Sequence, residues 1–491
     1  MQCLDPLYIP LTDLNFIEAS AGTGKTYTIT TLYLRLIMEK AIPVNQILVV
    51  TYTNTATKEL RDRIRTRLAQ IHLAFQRGYA DADDEFSVRM LDLFSSRELA
   101  SSRELATRRL TNAVRGFDEA AIFTIHGFCK RALGDNAFES GLSFETELMA
   151  DANDLLQEIV DDFWRREFYR ASPMVVQYFL DKKYNPEKLL NGISRYLGKP
   201  YLEISMPGKK ADGPALEQTF LAAYQQTRQL WQDHRIEIEE LLLRLPGLNR
   251  KKYGLESITS WLNAMDDYLT VEIPRLKLFE KFERFTTSKL KASVNKGKPA
   301  PQHFFFDACE TLKAACKTLA DYFSHQLPVK LLAYCNAELT TRKRQQQTRS
   351  YDDLLLDLYD ALKNPHQGAV LAATLRRRYA ATLIDEFQDT DPVQYEIFRS
   401  IYARTGKPVF LVGDPKQAIY SFRGADIFAY LNARRDTAHG YTLDGNWRSD
   451  PRLLTALNVI FGTVKTQPFL FDDIPFQPAK PAEKKRHEHL W

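Results

Sequence analysis

The stretch IEASAGTGKT at residues 17–26 constrains the fold more than any other feature of the chain. The strand-like residues 14–18 lead into it. TYTITTLYLRLIMEK (26–40) follows, with Ile29, Leu32, Leu36 and Ile37 on one helical face. A strand passing through a small-residue loop into a helix is the opening unit of a parallel α/β layer, with its ligand at the carboxyl ends of the strands. The loop reads Ala19-Ser20-Ala21-Gly22-Thr23-Gly24-Lys25-Thr26 and departs from G-x-x-x-x-G-K-[ST] only in having Ala19 at the first position. Gly22 and Gly24 let backbone N–H groups turn inward on a phosphate, and the helix beginning at Lys25 directs its positive end there. Lys25 is placed to reach the β- and γ-phosphates of a nucleotide, and Thr26 to ligate Mg²⁺.

Further apolar, β-branched runs at 46–53 (QILVVTYT), 381–387 (ATLIDEF) and 408–414 (PVFLVGD) predict more buried parallel strands. TKELRDRIRTRLAQIHLAF (57–75) predicts an amphipathic helix with arginines on its polar side. From about 145 to 345 long helical patterns such as DANDLLQEIVDDFWRREFY dominate, so a helical insertion is expected to divide the α/β layer. The tandem SSRELASSRELA (95–106) cannot keep one apolar face, because six residues advance a helix by about 600°; a solvated extension is expected there.

Charge and cysteine usage narrow the class. Residues 181–350 hold 28 Lys and Arg against 19 Asp and Glu, an excess of +9 that leaves −5 for the remainder of a chain with net charge +4. The middle is therefore the part suited to a polyanion. Five scattered cysteines (Cys3, Cys129, Cys309, Cys316, Cys335) without metal-ligand spacing fit a reducing compartment. No apolar run of 18 residues and no charged-then-apolar leader stands in the sequence, so a soluble cytoplasmic protein is expected.

Three later stretches complete a chemistry. LIDEFQDTD (383–391) ends an apolar strand in Asp-Glu, the pair an ATPase needs: Asp385 to hold the metal and Glu386 to polarise the attacking water. VGDPKQAIYSFRGAD (412–426) offers Gln417 as a γ-phosphate sensor, then Tyr420, Phe422 and Arg423, an aromatic and cationic surface suited to unpaired bases. NWRSD (446–450) offers Arg448 as a cation for transition-state charge and Trp447 as a flat face.

The ordered set ASAGTGKT, VVTYTNTATKELRDRI, FTIHGFCKRAL, LIDEFQDTD, VGDPKQAIYSFRGAD and NWRSD resembles the first six motif blocks of superfamily 1 DNA helicases of the UvrD/Rep type. Within that group, LDPLYIPL together with FIEASAGTGKTYTITTLYLRL resembles the RecB family, the beta subunits of exodeoxyribonuclease V. The resemblance implies an α/β, P-loop NTPase (RecA-like) motor domain with a parallel sheet, built from 1–144 and 346–450. Residues 145–345 would be a DNA-contacting helical arm and 451–491 the start of a second motor domain. It implies ATP and Mg²⁺ as ligands, and single- and double-stranded DNA with RecC-like gamma and RecD-like alpha subunits as partners. Tyr52, Thr53, Asn54, Thr124 and His126 would contact single-stranded DNA, as would Tyr420, Phe422 and Arg423. Gln417 would couple the γ-phosphate to Phe422; Tyr27 and Trp447 would flank adenine, and Arg448 would be an arginine finger.

Only 41 residues follow NWRSD, so the expectation is the front portion of a longer helicase–exonuclease subunit, unable to unwind DNA alone. The alternatives are a stand-alone UvrD/Rep-type repair helicase and a non-catalytic DNA-binding scaffold with a nucleotide fold. Intact Lys25, Asp385, Glu386 and Gln417 speak against the scaffold.

Overall fold

Seven parallel strands form the central sheet: β1 (Gln2–Cys3), β2 (Leu14–Ala19), β3 (Ile47–Thr51), β4 (Ile122–Thr124), β5 (Ala381–Ile384), β6 (Val409–Gly413) and β7 (His439–Leu443). Their spatial order is β1-β7-β2-β6-β5-β3-β4. The computed structural model describes residues 2–95, 100–137, 147–149, 151–205, 212–244, 247–420, 425–437, 439–463, 468–469 and 471–482. The chain divides into two compact units, residues 1–148 with 349–491, and residues 149–348.

The strands read as continuous apolar runs because both sheet faces are covered. Successive side chains point to opposite faces. Ile17, Val49, Leu383 and Val412 enter one core, and Phe16, Val50, Ile384 and Leu411 the other. The first core is closed by α1 (Lys25–Met38), α2 (Asn54–Arg77), α3 (Glu85–Ser95) and α4 (Ala100–Arg115). The second is closed by α5 (Ile125–Asp135) and the helices Tyr351–Lys363, Gly368–Arg378, Pro392–Tyr402 and Ile427–Asp436. The doubly covered parallel α/β sheet is the expected fold class.

Three helices follow the carboxyl ends of sheet strands, α1 after β2, α2 after β3 and α5 after β4, and their starts differ. Thr53 caps α2 by accepting the Ala56 N–H at 3.1 Å, and Thr124 caps α5 by accepting the Gly127 N–H at 3.1 Å. α1 starts at Gly24, with φ 96° and no side-chain cap. A helix leaves its first N–H groups without intrahelical partners, so α1 presents them to the loop before it.

The tandem hexapeptide falls partly outside the described residues, Leu99 included. Its second copy lies in α4, where Leu105 is exposed and Ala106 buried, a helix with a solvated face. Residues 149–348 are helical around their own core, with the helices Gly213–Arg244 and Phe304–Gln345 packed through Phe220, Trp231, Phe305 and Leu312. All five cysteines are free, and all but Cys3 are buried. Among the described residues no helix is long and apolar enough to cross a membrane.

Candidate functional site

A cleft of about 1080 Å³ opens at the carboxyl ends of the strands of the first unit, walled by residues 21–28, Asp385, Glu386, Gln417, Trp447 and Arg448. Gly22 and Gly24 hold φ of 78° and 96°, a left-handed backbone that glycine adopts without a steric cost. A Cβ on Gly22 would stand 2.8 Å from the Arg448 Cβ and 3.0 Å from the Asn446 amide. The loop is thus pressed against the segment after β7. Asn446 fastens it there: Nδ2 donates to the Ala21 carbonyl at 2.8 Å, and Oδ1 accepts the Arg448 and Ser449 N–H groups at 2.9 and 2.8 Å. The Trp447 N–H donates to the Gly22 carbonyl at 2.8 Å.

Lys25 Nζ lies 2.6 Å from Glu386 Oε2. Glu386 holds φ 51°, uncommon for a residue with a Cβ, and its N–H donates to Asp385 Oδ1 at 2.9 Å. This turn brings both carboxylates to the phosphate loop. Burial, reinforced by the Glu386 charge and opposed by Lys25, pushes the Asp385 carboxyl up to about 6. Burial and the Glu386 charge also push Asp389 up to about 6. The Asp389 Oδ1 atom is buried without a hydrogen-bond partner.

Gln388, buried beneath this turn, bridges two motifs. Its Nε2 donates to Glu386 Oε2 at 2.8 Å, and its Oε1 accepts the Asp414 N–H at 2.9 Å. The Asp414 carboxylate in turn accepts Gln417 Nε2 at 2.7 Å and lies 3.4 Å from Lys416, which also donates to buried Glu18 at 3.1 Å. A hydrogen-bonded path therefore runs from Glu386 to Gln417.

Tyr27 also lines the cleft, its ring edge-on to Phe86 at 5.5 Å, and Arg67 lies over the Phe86 ring at 4.9 Å. Trp447 is 58% exposed. Thr26 stands in the same wall, so Lys25, Thr26, Tyr27, Asp385, Glu386, Gln417, Trp447 and Arg448 are brought together with the 21–24 turn.

The residues read as contacts for a single strand form a second group. Tyr52 and Tyr420 stack at 6.0 Å with an 18° interplanar angle. Thr53 and Thr124 spend their hydroxyls as helix caps, as above, and Asn54 is exposed in the first turn of α2. His126 lies edge-on to Tyr351 at 6.1 Å, with Nε2 3.8 Å from Asp352. Phe422 and Arg423 lie outside the described residues.

Asn446, Gln388 and Asp414 were not singled out by sequence reasoning, although each stands inside a quoted motif. Their roles are hydrogen bonds to backbone or neighbouring side chains, which residue type alone does not announce. Phe86 and Arg67 carry no motif signal at all.

The chain matches the model of the UvrD/REP helicase N-terminal domain over residues 8–438. It belongs to that family. The RecBCD enzyme subunit RecB of Escherichia coli (strain K12) is 37% identical over 495 residues, 99% of this chain and 41% of that protein. The subunit of the same name from Haemophilus influenzae is 34% identical over 545 residues, 99% and 42% respectively. That from Mycolicibacterium smegmatis is 28% identical over 459 residues, 93% and 30%. The chain thus spans about two fifths of the length of the first two relatives.

Proposed function

We propose that this chain is the ATP-hydrolysing motor portion of a RecB-like DNA helicase–exonuclease subunit that acts in double-strand break repair and recombination. The observation that carries the reading is the Lys25–Glu386 pair at 2.6 Å, which joins an uncapped helix start to the strand carboxylates. The residues fit a magnesium nucleotide: Gly22 and Gly24 hold the left-handed backbone of a phosphate-binding turn, and the half-buried Asp385 carboxylate shares one cleft wall with Thr26.

ATP would lay its phosphates against the 20–26 turn and the first N–H groups of α1. Thr26 and Asp385 would hold Mg²⁺, which would supply positive charge to the phosphate oxygens. Lys25 cannot serve phosphate and Glu386 equally, so phosphate arrival draws the ammonium away and frees Glu386 to accept a proton from water. That water attacks the γ-phosphorus, and the bond to ADP breaks. Arg448 would lend positive charge, and Gln417 would sense the γ-phosphate and couple its state to Phe422.

Hydrolysis would drive the motor along single-stranded DNA. Residues 149–348 would form the duplex-contacting arm, and 451–491 would begin the second motor domain. The relatives are by name subunits of the RecBCD enzyme, and we infer RecC-like gamma and RecD-like alpha partners in the cytoplasm. Lys25→Ala tests the core of the reading. A folded variant of the whole protein should lose about 10²–10³ in ATP turnover, the scale of one electrostatic stabiliser. Near-wild-type turnover would remove the phosphate-loop assignment.

A further inference from the structure

The helical unit, residues 149–348, carries a side-chain cluster that nucleotide chemistry leaves unused. His234 and Glu237 lie about one turn apart on the helix Gly213–Arg244, and His303 caps the helix Phe304–Gln345. His234 Nδ1 is 3.1 Å, and His303 Nε2 3.7 Å, from the same atom, Glu237 Oε2. One ligand atom from each of the three lies within 4.8 Å of the others, and the two imidazole rings are 5.0 Å apart at 69°. The His303 side chain is only 8% exposed and sits edge-on to Phe306, so its ring is held by packing; Glu237 faces solvent.

Two nitrogens and a carboxylate oxygen around one point match the donor set of a borderline divalent ion. Ligand atoms about 2.0–2.1 Å from a tetrahedral zinc stand roughly 3.3 Å apart, and the separations of 3.1 and 3.7 Å lie on either side of that value. Imidazole favours zinc and its transition-metal neighbours over magnesium or calcium, and the exposed side leaves the remaining position to water. We propose that His234, Glu237 and His303 form a Zn²⁺ site that clasps the start of the Phe304–Gln345 helix to the Gly213–Arg244 helix.

The site carries a built-in competitor. His303 Nδ1 accepts the Phe305 N–H at 3.1 Å, which places the ring proton of the neutral, metal-free imidazole on Nε2, facing Glu237. Zinc at Nε2 requires the other tautomer: the proton passes to Nδ1 through solvent, and Phe305 loses its cap. One cap hydrogen bond corresponds to roughly tenfold in affinity, so the site is weaker than an unencumbered one of the same donors. Without metal, Glu237 Oε2 pairs with His234 Nδ1 at 3.1 Å and stands 3.7 Å from His303 Nε2.

Zinc titration of the full 491-residue chain, by calorimetry and thermal unfolding in saturating Mg²⁺, separates these states. Magnesium fills the hard oxygen positions proposed at Thr26 and Asp385 and does not compete for imidazole. One zinc should bind per chain and raise Tm through its preference for the folded state. His234→Ala and Glu237→Gln should each weaken binding by at least about tenfold, the scale on which even outer-shell changes act. His303→Asn, which keeps a side-chain acceptor for the helix start, should lose zinc and with it the zinc-dependent rise in Tm. Asp385→Asn should retain this zinc, so failure of the nucleotide reading and failure of this site are separable. Absence of zinc binding, or equal affinity in the wild type and His234→Ala, overturns the proposal.

Discussion

The two carboxylates at the end of β5 are adjacent in sequence and differ in the role proposed for each. Asp385 is raised to about 6 chiefly by burial. Its folded value exceeds the ordinary one, so between about pH 3.8 and 6 the folded state binds the extra proton. The metal-free protein therefore loses stability as pH rises through that window and gains none above it. Asp385→Asn keeps the acceptor for the Glu386 N–H and removes the half-buried charge. In metal-free buffer it should be more stable than wild type at pH 7, by on the order of 2 kcal/mol, with the difference vanishing near about pH 4. The same variant should bind magnesium nucleotide more weakly. Glu386→Gln should bind it well and turn it over about 10²–10⁴-fold more slowly, the usual worth of a general base. Equal defects in affinity and turnover in both variants would refute this division of roles. Gln388→Leu leaves the Asp414 N–H without its acceptor and Glu386 without its positioning donor. Turnover should fall at least about tenfold while nucleotide affinity holds, and a loss confined to affinity would count against the bridge.

At the scale of elements, the phosphate loop depends on a latch from the far end of the first unit. The Gly22 carbonyl accepts the Trp447 N–H, and Asn446 grips Ala21. Asn446→Ala removes the grip without adding bulk and should weaken nucleotide binding about tenfold, in line with the roughly 1–3 kcal/mol of an unpaired buried group. Gly22→Ala should be worse, because its Cβ meets the backbone-proximal Arg448 Cβ at 2.8 Å in a left-handed turn. Equilibrium binding of a fluorescent ATP analogue ranks the two, and an Asn446→Ala affinity equal to wild type would dismiss the latch. What the sequence made legible follows the same physics. Strands such as Ile47–Thr51 declare themselves because burial on both faces demands an unbroken apolar run. The loop declares itself because glycine at positive φ is hard to replace. Asn446 and Gln388 stayed hidden since they serve backbone atoms brought near only by the fold. Phe86 and Arg67 stayed hidden since the helices that carry them show only ordinary amphipathic patterning.

Across the whole molecule, the basic excess of residues 181–350 sets the last expectation, and the structure narrows who carries it. SKLKASVNKGKP (288–299) and TRKRQQQTR (341–349) read in sequence as two basic stretches suited to duplex phosphates. Much of that charge is already engaged. Lys289 pairs with Glu283 at 2.7 Å, Arg342 with Asp162 at 2.6 Å and Arg349 with Asp357 at 3.2 Å, while Lys343 is buried. Lys291, Lys296 and Lys298 remain exposed on and beyond the short helix Thr287–Lys291. Ammonium groups already held by carboxylates release few counterions from DNA, whereas exposed ones release close to one each. Replacing Lys291, Lys296 and Lys298 with alanine in the whole protein should therefore flatten the dependence of duplex affinity on salt by roughly 0.9 for each phosphate no longer neutralised, up to about 2.7 for all three. Lys289→Ala should change the slope little, which makes it the internal control. Affinity for single-stranded DNA should hold, because the Tyr52–Tyr420 stack belongs to the other unit. A salt series on duplex ends for wild type, the triple variant and Lys289→Ala decides the matter. If the triple variant keeps the wild-type slope, these lysines belong to a solvated loop and the duplex is held elsewhere.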